Sequence, residues 1–412
     1  MKAHYTEYLK EMLKSYSTDK ETAGRVQFIR CYSSFVASGN ELGEIVKNSG
    51  IECEFLYHEF DGGMIQSPYE PFIDWIKDKY KDMPEEKIDE VLDRANAYSL
   101  HKSAIKSYIK SGMCKRQERI IISECEYEKE RFLNSLVDIV NYVWKDKPVI
   151  MVLHGLNMAQ KSTIDFLRNF IVKKAGNISI LSGYSEVSND AEYMQQTWSK
   201  FVYEIELANM LAECGMDDGS VNSDYIHFKS DDESVKGYII HICNLTYMTA
   251  YEEAAYYVEK MYHKLLVEQS EVSDFYKKRI YMLYAYVALC NGDAKSAFLM
   301  CKNLNNMPDM DEDLEAGYLY NYLTALIKCN DGQREQSYTY INECKDIAKK
   351  LRDHDKEFEA EMLRCIATGG GWKDVFTWQK RIKVSQEFLD EMERRHQYNH
   401  LSYIYFIGFN YI

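Results

Sequence analysis

The sequence predicts two kinds of structure in one chain, an α/β domain over residues 25–214 and an all-helical repeat domain over residues 235–412. In the first half, short apolar runs alternate with helical patterns, which is typical of a parallel sheet with helices on both faces. After residue 234 no convincing strand is found, and helical periodicity continues to the end of the chain. Similar segments also recur 40 positions apart, as Ala285 and Ala325 or Gly292 and Gly332 do, which indicates a repeat architecture.

The α/β half begins after residues 1–24, for which we expect an N-terminal helix. Two apolar runs, 149–153 and 178–181, are continuous, as strands buried on both faces of a parallel sheet should be. Residues 215–234 are polar and rich in Gly, Asp and Ser, which predicts a linker. The strands are expected at residues 25–30, 52–58, 148–153, 178–182 and 201–206.

In the helical half, YAYVALCNGDAKSAF begins at Tyr284 and NYLTALIKCNDGQREQSY begins at Asn321. Gly292 and Gly332 each lie in an Asn/Asp-rich turn between two helical patterns. The segment resembles the tetratricopeptide repeat, since Ala285, Gly292, Ala297 and Pro308 fall near that repeat's small-residue, turn and terminal-proline positions. The period exceeds the usual repeat of about 34 residues, so we describe the array as TPR-like. Further pairs are expected at 353–367 with 374–394 and again from residue 400.

Composition and charge exclude several classes of function. The formal net charge is −15, which disfavours a broad nucleic-acid surface because phosphate binding needs clustered Lys and Arg. Eleven cysteines are spread singly with no C-x-x-C pair, which indicates a reducing, cytoplasmic compartment. No secretory signal and no run of 18 apolar residues is present, so no membrane span is expected.

Two stretches of the α/β half carry a family resemblance. Residues 67–72 read SPYEPF after a predicted strand and a Gly-rich loop, and residues 152–167 read VLHGLNMAQKSTIDFL. They resemble the segment after the second strand and the Walker B region (hhhhEDLHWADxST) of STAND-type, AAA-like signalling ATPases. Leu156, Ala159, Ser162 and Thr163 match that pattern. His154, Gly155 and Gln160 stand where the family has acidic residues, and residues 178–184 resemble its next core strand.

The phosphate loop of that family is also degenerate. The alignment of G-x-x-x-x-G-K-[ST] that keeps strand and helix in place runs from Ser34 to Glu41. Gly39 is retained, but Asn40 replaces the lysine and Glu41 replaces the hydroxyl that would hold Mg²⁺. Glu41 would also place a negative charge at a helix N-terminus, where a phosphate should bind. The resemblance therefore implies a P-loop NTPase-like three-layer fold without ATPase chemistry.

These observations favour a non-catalytic regulatory or scaffold protein in signal transduction, a pseudo-ATPase domain joined to a TPR-like protein-binding array. We expect no catalytic residue, no metal and no cofactor. The vestigial pocket is expected at Ser34, Gly39, Asn40, Glu41, His154 and Gly155. Three alternatives remain: a switch that still binds ATP or ADP without efficient hydrolysis, an enzyme with a new site near His154, and an unrelated α/β domain with accidental similarity.

A protein partner is expected on the inner surface of the array, where tyrosines supply amphipathic contact area. The alternative for each ring is that it only packs between helices. The apolar C-terminal end is expected to be covered by a partner or by self-association into a homo-oligomer, or to continue into a longer chain. The candidate contact residues are Tyr284, Tyr286, Tyr318, Tyr320, Tyr322, Tyr403, Tyr405 and Phe406.

Overall fold

The structure is a computed structural model that describes residues 2–18, 24–30, 38–60, 65–115, 125–184, 192–213, 228–269, 271–310, 312–369, 386–395 and 397. The chain divides into two compact units. One comprises Met1–Cys114 with Lys129–His227, and the other comprises Lys115–Glu128 with Phe228–Ile412. No helix among the described residues is both long and apolar enough to cross a bilayer.

Among its described residues, the first unit contains five strands with helices between them. Residues of α6 from Lys129 onward belong to this unit. The elements are α1 (Lys2–Thr18), β1 (Val26–Arg30), α2 (Gly39–Asn48), β2 (Glu54–Glu59), α3 (Phe72–Tyr80), α4 (Glu85–Arg94), α5 (Ser99–Ser111), α6 (Cys125–Val143), β3 (Val149–His154), α7 (Lys161–Lys173), β4 (Ile178–Tyr184), α8 (Glu192–Leu207) and β5 (Leu211–Glu213).

The five strands form one parallel sheet in the order β2-β3-β4-β1-β5, which confirms the predicted parallel sheet. The two apolar runs form β3 and β4, and every residue of both strands is buried. From β1 the chain crosses to the far edge at β2, then returns through β3 and β4 and passes beyond β1 to β5. Connections from the neighbouring strands β1 and β4 therefore run in opposite directions, and in α/β proteins ligands bind outside the carboxyl ends of strands at such a switch point.

Helices cover both faces of this sheet. On one face, α1 and α2 share a core with residues of β1, β3 and β4, and Leu9, Leu42, Ile29, Val152 and Leu181 lie within it. On the other face, the ring of Phe28 in β1 contacts Phe201 of α8 edge to face, with centroids 5.3 Å apart. The unit thus has three layers, and alternate residues of each strand point to opposite helical layers.

The predicted strand at residues 201–206 is wrong, because these residues belong to α8. Phe201, Tyr203 and Ile205 alternate with other residues as a half-buried strand would, but Phe201 and Ile205 are also one helical turn apart. In the helix, Phe201 and Ile205 are buried while Tyr203 is 63% exposed. The actual last strand, β5, has only three residues, too few to produce a recognisable pattern.

No strand occurs among the described residues of the second unit, whose regular elements are all helices. Of the predicted linker, residues 215–227 lie outside the described part, and α9 starts within its last residues, capped by Asp231, whose carboxylate accepts from Ser234 N. The helices are α9 (Asp232–Tyr247), α10 (Tyr251–Tyr262), which continues as a π-helix (His263–Gln269), α11 (Asp274–Cys290), α12 (Ala294–Asn305), α13 (Leu314–Asn330), α14 (Arg334–Leu351), α15 (His354–Gly369) and α16 (Gln386–Arg394).

The helices repeat with the spacing seen in the sequence. α11, α13 and α15 begin at residues 274, 314 and 354, and α12 and α14 begin at 294 and 334, so each start recurs after 40 residues. Gly292 and Gly332 occupy the turns with φ of +75° and +74°, a left-handed conformation that glycine adopts without steric cost. The predicted helix pairs and their turn glycines are therefore confirmed for these repeats.

Successive helices of the array pack against each other, and α9, α11, α13 and α15 also contact each other in turn, forming one layer. The small residues Ala285, Ala288 and Ala297 lie in the core shared by α11, α12 and α13, as expected for close helix approach. The segments predicted at 374–385 and from residue 400 lie outside the described residues.

Candidate functional site

The N-terminus of α2 is the place where a nucleotide phosphate would bind in the resembling family. Here Ser38 and Glu41 form a capping box: Glu41 N donates to Ser38 Oγ (3.3 Å), and Ser38 N donates to the Glu41 carboxylate (2.9 Å). The spacing S-x-x-E is the sequence signature of this cap. The carboxylate of Glu41 therefore holds a backbone N–H that an anion would otherwise use. Ser34, the other end of the predicted loop, lies outside the described residues.

A tyrosine from β2 closes the same place from the sheet side. A Cβ added to Gly39 would lie 2.6 Å from Cδ1 of Tyr57, so the aromatic ring packs directly on the first turn of α2. The Tyr57 hydroxyl donates to Glu59 Oε2 (3.3 Å). Burial, and secondly the neighbouring Glu59 carboxylate, raise the pKa of Tyr57 to about 12, so the ring remains neutral. Sequence reasoning missed Tyr57, although its alternation with Phe55 in β2 places both on the side of α2.

His154 and Gly155 lie at the carboxyl end of β3. His154 is 4% exposed and stands in register with Glu59 of β2, and its carbonyl accepts from Phe60 N (2.9 Å). It follows Ile150 and Val152 at alternate positions, so it points to the layer of α1 and α2. Gly155 has φ of +68°, and a Cβ there would meet Phe60 O at 3.3 Å. Glycine at this position therefore serves the backbone turn.

Gln160, which aligns with an acidic position of the resembling family, is part of a buried amide pair. Gln160 N donates to Gln66 Oε1 (3.2 Å), and Gln66 Nε2 donates to Met158 O (2.9 Å). Gln66 and Gln160 are 6% and 1% exposed. Thr163 Oγ1 donates to Glu70 O (2.8 Å) and ties the same helix start to the SPYEPF stretch. These groups fix the backbone between β3 and α7, and the contacts are structural.

The SPYEPF stretch forms a tight polar turn over an aromatic core. Ser67 N donates to Glu70 Oε2 (2.7 Å), and His58 Nε2 lies 3.1 Å from Glu70 Oε1. The buried ring of Tyr69 stacks on Phe132 with centroids 5.1 Å apart. The aromatic residues of this stretch are thus explained by packing between α3, α6 and α7, since Phe72 also contacts Phe166.

Beneath this turn, the hydroxyl of Tyr108 donates to Asp74 Oδ1 (2.7 Å) and lies 2.9 Å from Ser67 Oγ. Burial raises the pKa of Asp74, and the nearby Glu70 raises it further, while the Tyr108 hydrogen bond opposes the shift. A carboxyl group with a raised pKa is a feature of many catalytic sites. The Asp74 carboxyl is enclosed by its own hydrogen bonds, and its partner Tyr108 lies 34 residues further along the sequence. The Asp74 side chain therefore serves to join α3 to α5.

The tyrosines proposed for partner binding separate into two groups. Tyr318 and Tyr322 are buried, stack with centroids 6.2 Å apart and belong to the core of α13, α14 and α15. For these two rings the helix-packing alternative applies. Tyr284, Tyr286 and Tyr320 are half-buried at the edge of the neighbouring core. Tyr403, Tyr405 and Phe406 lie outside the described residues.

Tyr286 already contacts another part of the chain. It packs with Tyr247 against a small buried cluster of Cys125, Tyr251 and Cys290. A partner would therefore meet Tyr284 and Tyr320 more readily than Tyr286.

Within the part of the chain that the structure describes, no group of three or more His, Cys, Asp or Glu side chains is arranged to hold a metal ion. No protein-family model, no curated protein and no solved structure matches this chain.

Proposed function

We propose that this protein is a non-catalytic regulatory or scaffold protein, in which a pseudo-ATPase unit is joined to a helical array that binds a protein partner. The closed N-terminus of α2 is the observation that supports the pseudo-ATPase part of this proposal. The Glu41 carboxylate takes the Ser38 N–H, and the Tyr57 ring lies against Gly39.

The physical reason is electrostatic and steric. A helix N-terminus binds phosphate through free N–H groups and a positive end of the helix dipole. The Glu41 carboxylate accepts from an N–H group at this helix end and neutralises the positive end of the dipole. It also repels a second anion at close range. Asn40 supplies no positive charge, and neither His154 nor Gly155 supplies the acid that would organise Mg²⁺. The strand order is compatible with the P-loop ATPase family that the motifs resemble.

The protein-binding part of the proposal rests on the helical array. Three helix starts at intervals of 40 residues describe a repeat, and repeat arrays present extended surfaces used for protein binding. Half-buried tyrosines along α10, α11 and α13 border its core, and tyrosine supplies large contact area at low conformational cost.

Calorimetric titration with ATP and with ADP, with and without Mg²⁺, tests the pseudo-ATPase assignment. We expect no heat of binding at micromolar nucleotide and no hydrolysis. Nucleotide that copurifies stoichiometrically, or micromolar binding, would favour the alternative of a nucleotide-binding switch. In that case Asn40→Lys with Glu41→Thr should strengthen binding, whereas the control Asn40→Lys with Glu44→Thr, altered on the same helix away from the cap, should do so less.

A further inference from the structure

Three tyrosine rings meet where α10 packs against α11. The ring centroid of Tyr262, the last residue of α10, lies 6.1 Å from that of Tyr281 and 5.6 Å from that of Tyr284, with interplanar angles of 57° and 65°. Tyr281 and Tyr284 are one turn apart on α11 and therefore share a face. All three rings are half-buried, so each keeps part of its surface toward solvent.

Carboxylates lie beside this aromatic triad (Tyr262, Tyr281 and Tyr284). Glu259, one turn before Tyr262, is exposed, and it acts together with Asp293 on the Tyr284 hydroxyl. Burial, and secondly the charges of these two carboxylates, raise the pKa of Tyr284 to about 12. The Tyr284 ring thus stays neutral while negative charge is held next to it, an environment that favours a cation.

Nearby lysines are engaged elsewhere. Lys260 lies over the ring of Tyr256 at 4.7 Å, and Lys264 pairs with Glu268 at 2.8 Å. In the described portion of the array, no Lys or Arg lies over the three rings of the triad. Asp293 is also influenced by Lys295 and accepts from Ser296 N, so Glu259 is the main source of negative charge beside the triad for a cation from outside the array.

Repeat packing does not require these tyrosines. The residues 40 positions after Tyr281 and Tyr284 are Asn321 and Thr324. The starts of α10 and α12 are 43 positions apart, and the residue 43 positions after Tyr262 is Asn305. The next helix pair thus has no aromatic ring at any of these positions. By contrast Ala285 and Gly292 recur as Ala325 and Gly332, as positions demanded by helix contact and turn geometry do.

The helix around the triad is irregular as well. A π-helix (His263–Gln269) follows Tyr262 directly, and the His263 ring contacts the Tyr262 ring with centroids 5.2 Å apart. π-helical segments are rare and occur disproportionately at functional sites. This irregularity lies beside the triad and is a second, independent feature that points to it.

We propose that the aromatic triad, with Glu259 and Asp293, binds an arginine side chain from a basic segment of a partner protein. A guanidinium group is planar and weakly hydrated, and it stacks on aromatic faces more readily than an ammonium group does. The flanking carboxylates supply the complementary charge, and the net charge of −15 favours encounter with a basic partner. This inference rests on the proposed function for the existence of a partner and names the chemistry that the array recognises.

The test uses the full chain and fluorescence anisotropy of labelled Gly-Ser peptides that carry four arginines, four citrullines or four lysines. Citrulline keeps the shape of arginine and removes its charge. We expect the arginine peptide to bind at least tenfold more tightly than the citrulline peptide and more tightly than the lysine peptide. Tyr281→Leu and Tyr284→Leu should each weaken arginine-peptide binding threefold or more, and Glu259→Gln should weaken it as well.

Two sets of variants separate recognition from folding. Tyr281→Phe and Tyr284→Phe keep the ring face, so binding should stay within twofold of the original protein. Tyr338→Leu, at a half-buried tyrosine of α14 that is not among the candidate contact residues, should leave binding unchanged. Circular dichroism identifies any leucine variant that fails to fold, and the phenylalanine variants then decide, since loss of binding in folded phenylalanine variants contradicts recognition by the ring faces.

The proposal is overturned if no peptide binds, if arginine and citrulline peptides bind equally, if lysine binds as well as arginine, or if Tyr338→Leu weakens binding as much as the triad variants do. The peptide titration contains no nucleotide, and nucleotide calorimetry probes the other unit. A failure of this inference is thereby distinguishable from a failure of the pseudo-ATPase assignment.

Discussion

Replacing Gly39 with alanine tests the contact that closes the α2 N-terminus. The added Cβ would lie 2.6 Å from Tyr57 Cδ1, about 1 Å inside ordinary carbon–carbon contact. Overpacking of this kind costs roughly 1–3 kcal/mol. In a Tyr57→Ala background the ring is absent, and alanine in a helix should then stabilise by about 0.5–1 kcal/mol over glycine. The two substitutions should therefore couple by roughly 1.5–4 kcal/mol, the overpacking cost plus the gain in the Tyr57→Ala background.

A second glycine in the same helix gives a matched control. A Cβ on Gly43 would meet the Phe55 ring at 3.6 Å, an ordinary contact distance. Gly43→Ala should thus be neutral or mildly stabilising whether or not Tyr57 is present. Urea unfolding of the four-variant cycle, followed by tryptophan fluorescence, gives each free energy of unfolding. If Gly39→Ala costs the same in both backgrounds, the Tyr57 ring does not fill the space beside Gly39 and the main support for the pseudo-ATPase proposal is lost.

Two further predictions concern anchoring contacts. The Tyr16 hydroxyl lies 2.7 Å from Ser179 Oγ and within 3.0 Å of two backbone carbonyls, so Tyr16→Phe should destabilise by about 1–3 kcal/mol in urea unfolding. Burial raises the pKa of Tyr16 to about 12, against about 10 in the unfolded chain. The contribution of the Tyr16 hydroxyl to stability is therefore complete below pH ~10 and is lost as the pH rises to about 12. Tyr16→Phe should remove this alkaline loss from the free energy of unfolding measured against pH. Lys278 is buried with its Nζ 3.3 Å from Asp313, and Asp313 also caps α13. Asp313→Ala removes the cap and leaves the lysine charge buried, so it should cost roughly 2–4 kcal/mol, while Lys278→Met should cost under about 1.5 kcal/mol. Equal losses of the two variants in urea unfolding would contradict this asymmetry.

The sequence predicted those parts of the fold that depend on local pattern. β3 and β4 could be predicted because strands buried on both sides are continuously apolar, and their observed ends differ from prediction by at most two residues. The turns at Gly292 and Gly332 could be predicted because a left-handed backbone conformation strongly favours glycine. The residues 201–206 were misassigned because alternation over six residues fits a strand and one side of a helix alike.

The candidate site was only half predictable for the same reason. The Ser38–Glu41 cap is local, and its spacing is visible in the sequence. The contact of Tyr57 with Gly39 joins a strand to a helix across a loop and depends on how the two elements pack. Likewise Tyr318 and Tyr322 could not be told apart from Tyr284 by periodicity, because α13 lies among α11, α14 and α15 and is apolar on several sides.

The positions that depart from the ATPase pattern support the proposed scaffold role because each has a structural partner in this chain. Glu41 caps Ser38, Gly155 accommodates the Phe60 carbonyl, and Gln160 exchanges amide contacts with Gln66. Each of these residues stabilises the turn in which it lies. An acid at 160 would place a carboxylate against the Gln66 carbonyl in a site that is 1% exposed, at a considerable cost in desolvation. An acidic residue at 160 would therefore cost stability, in agreement with the proposal that this unit has no nucleotide chemistry.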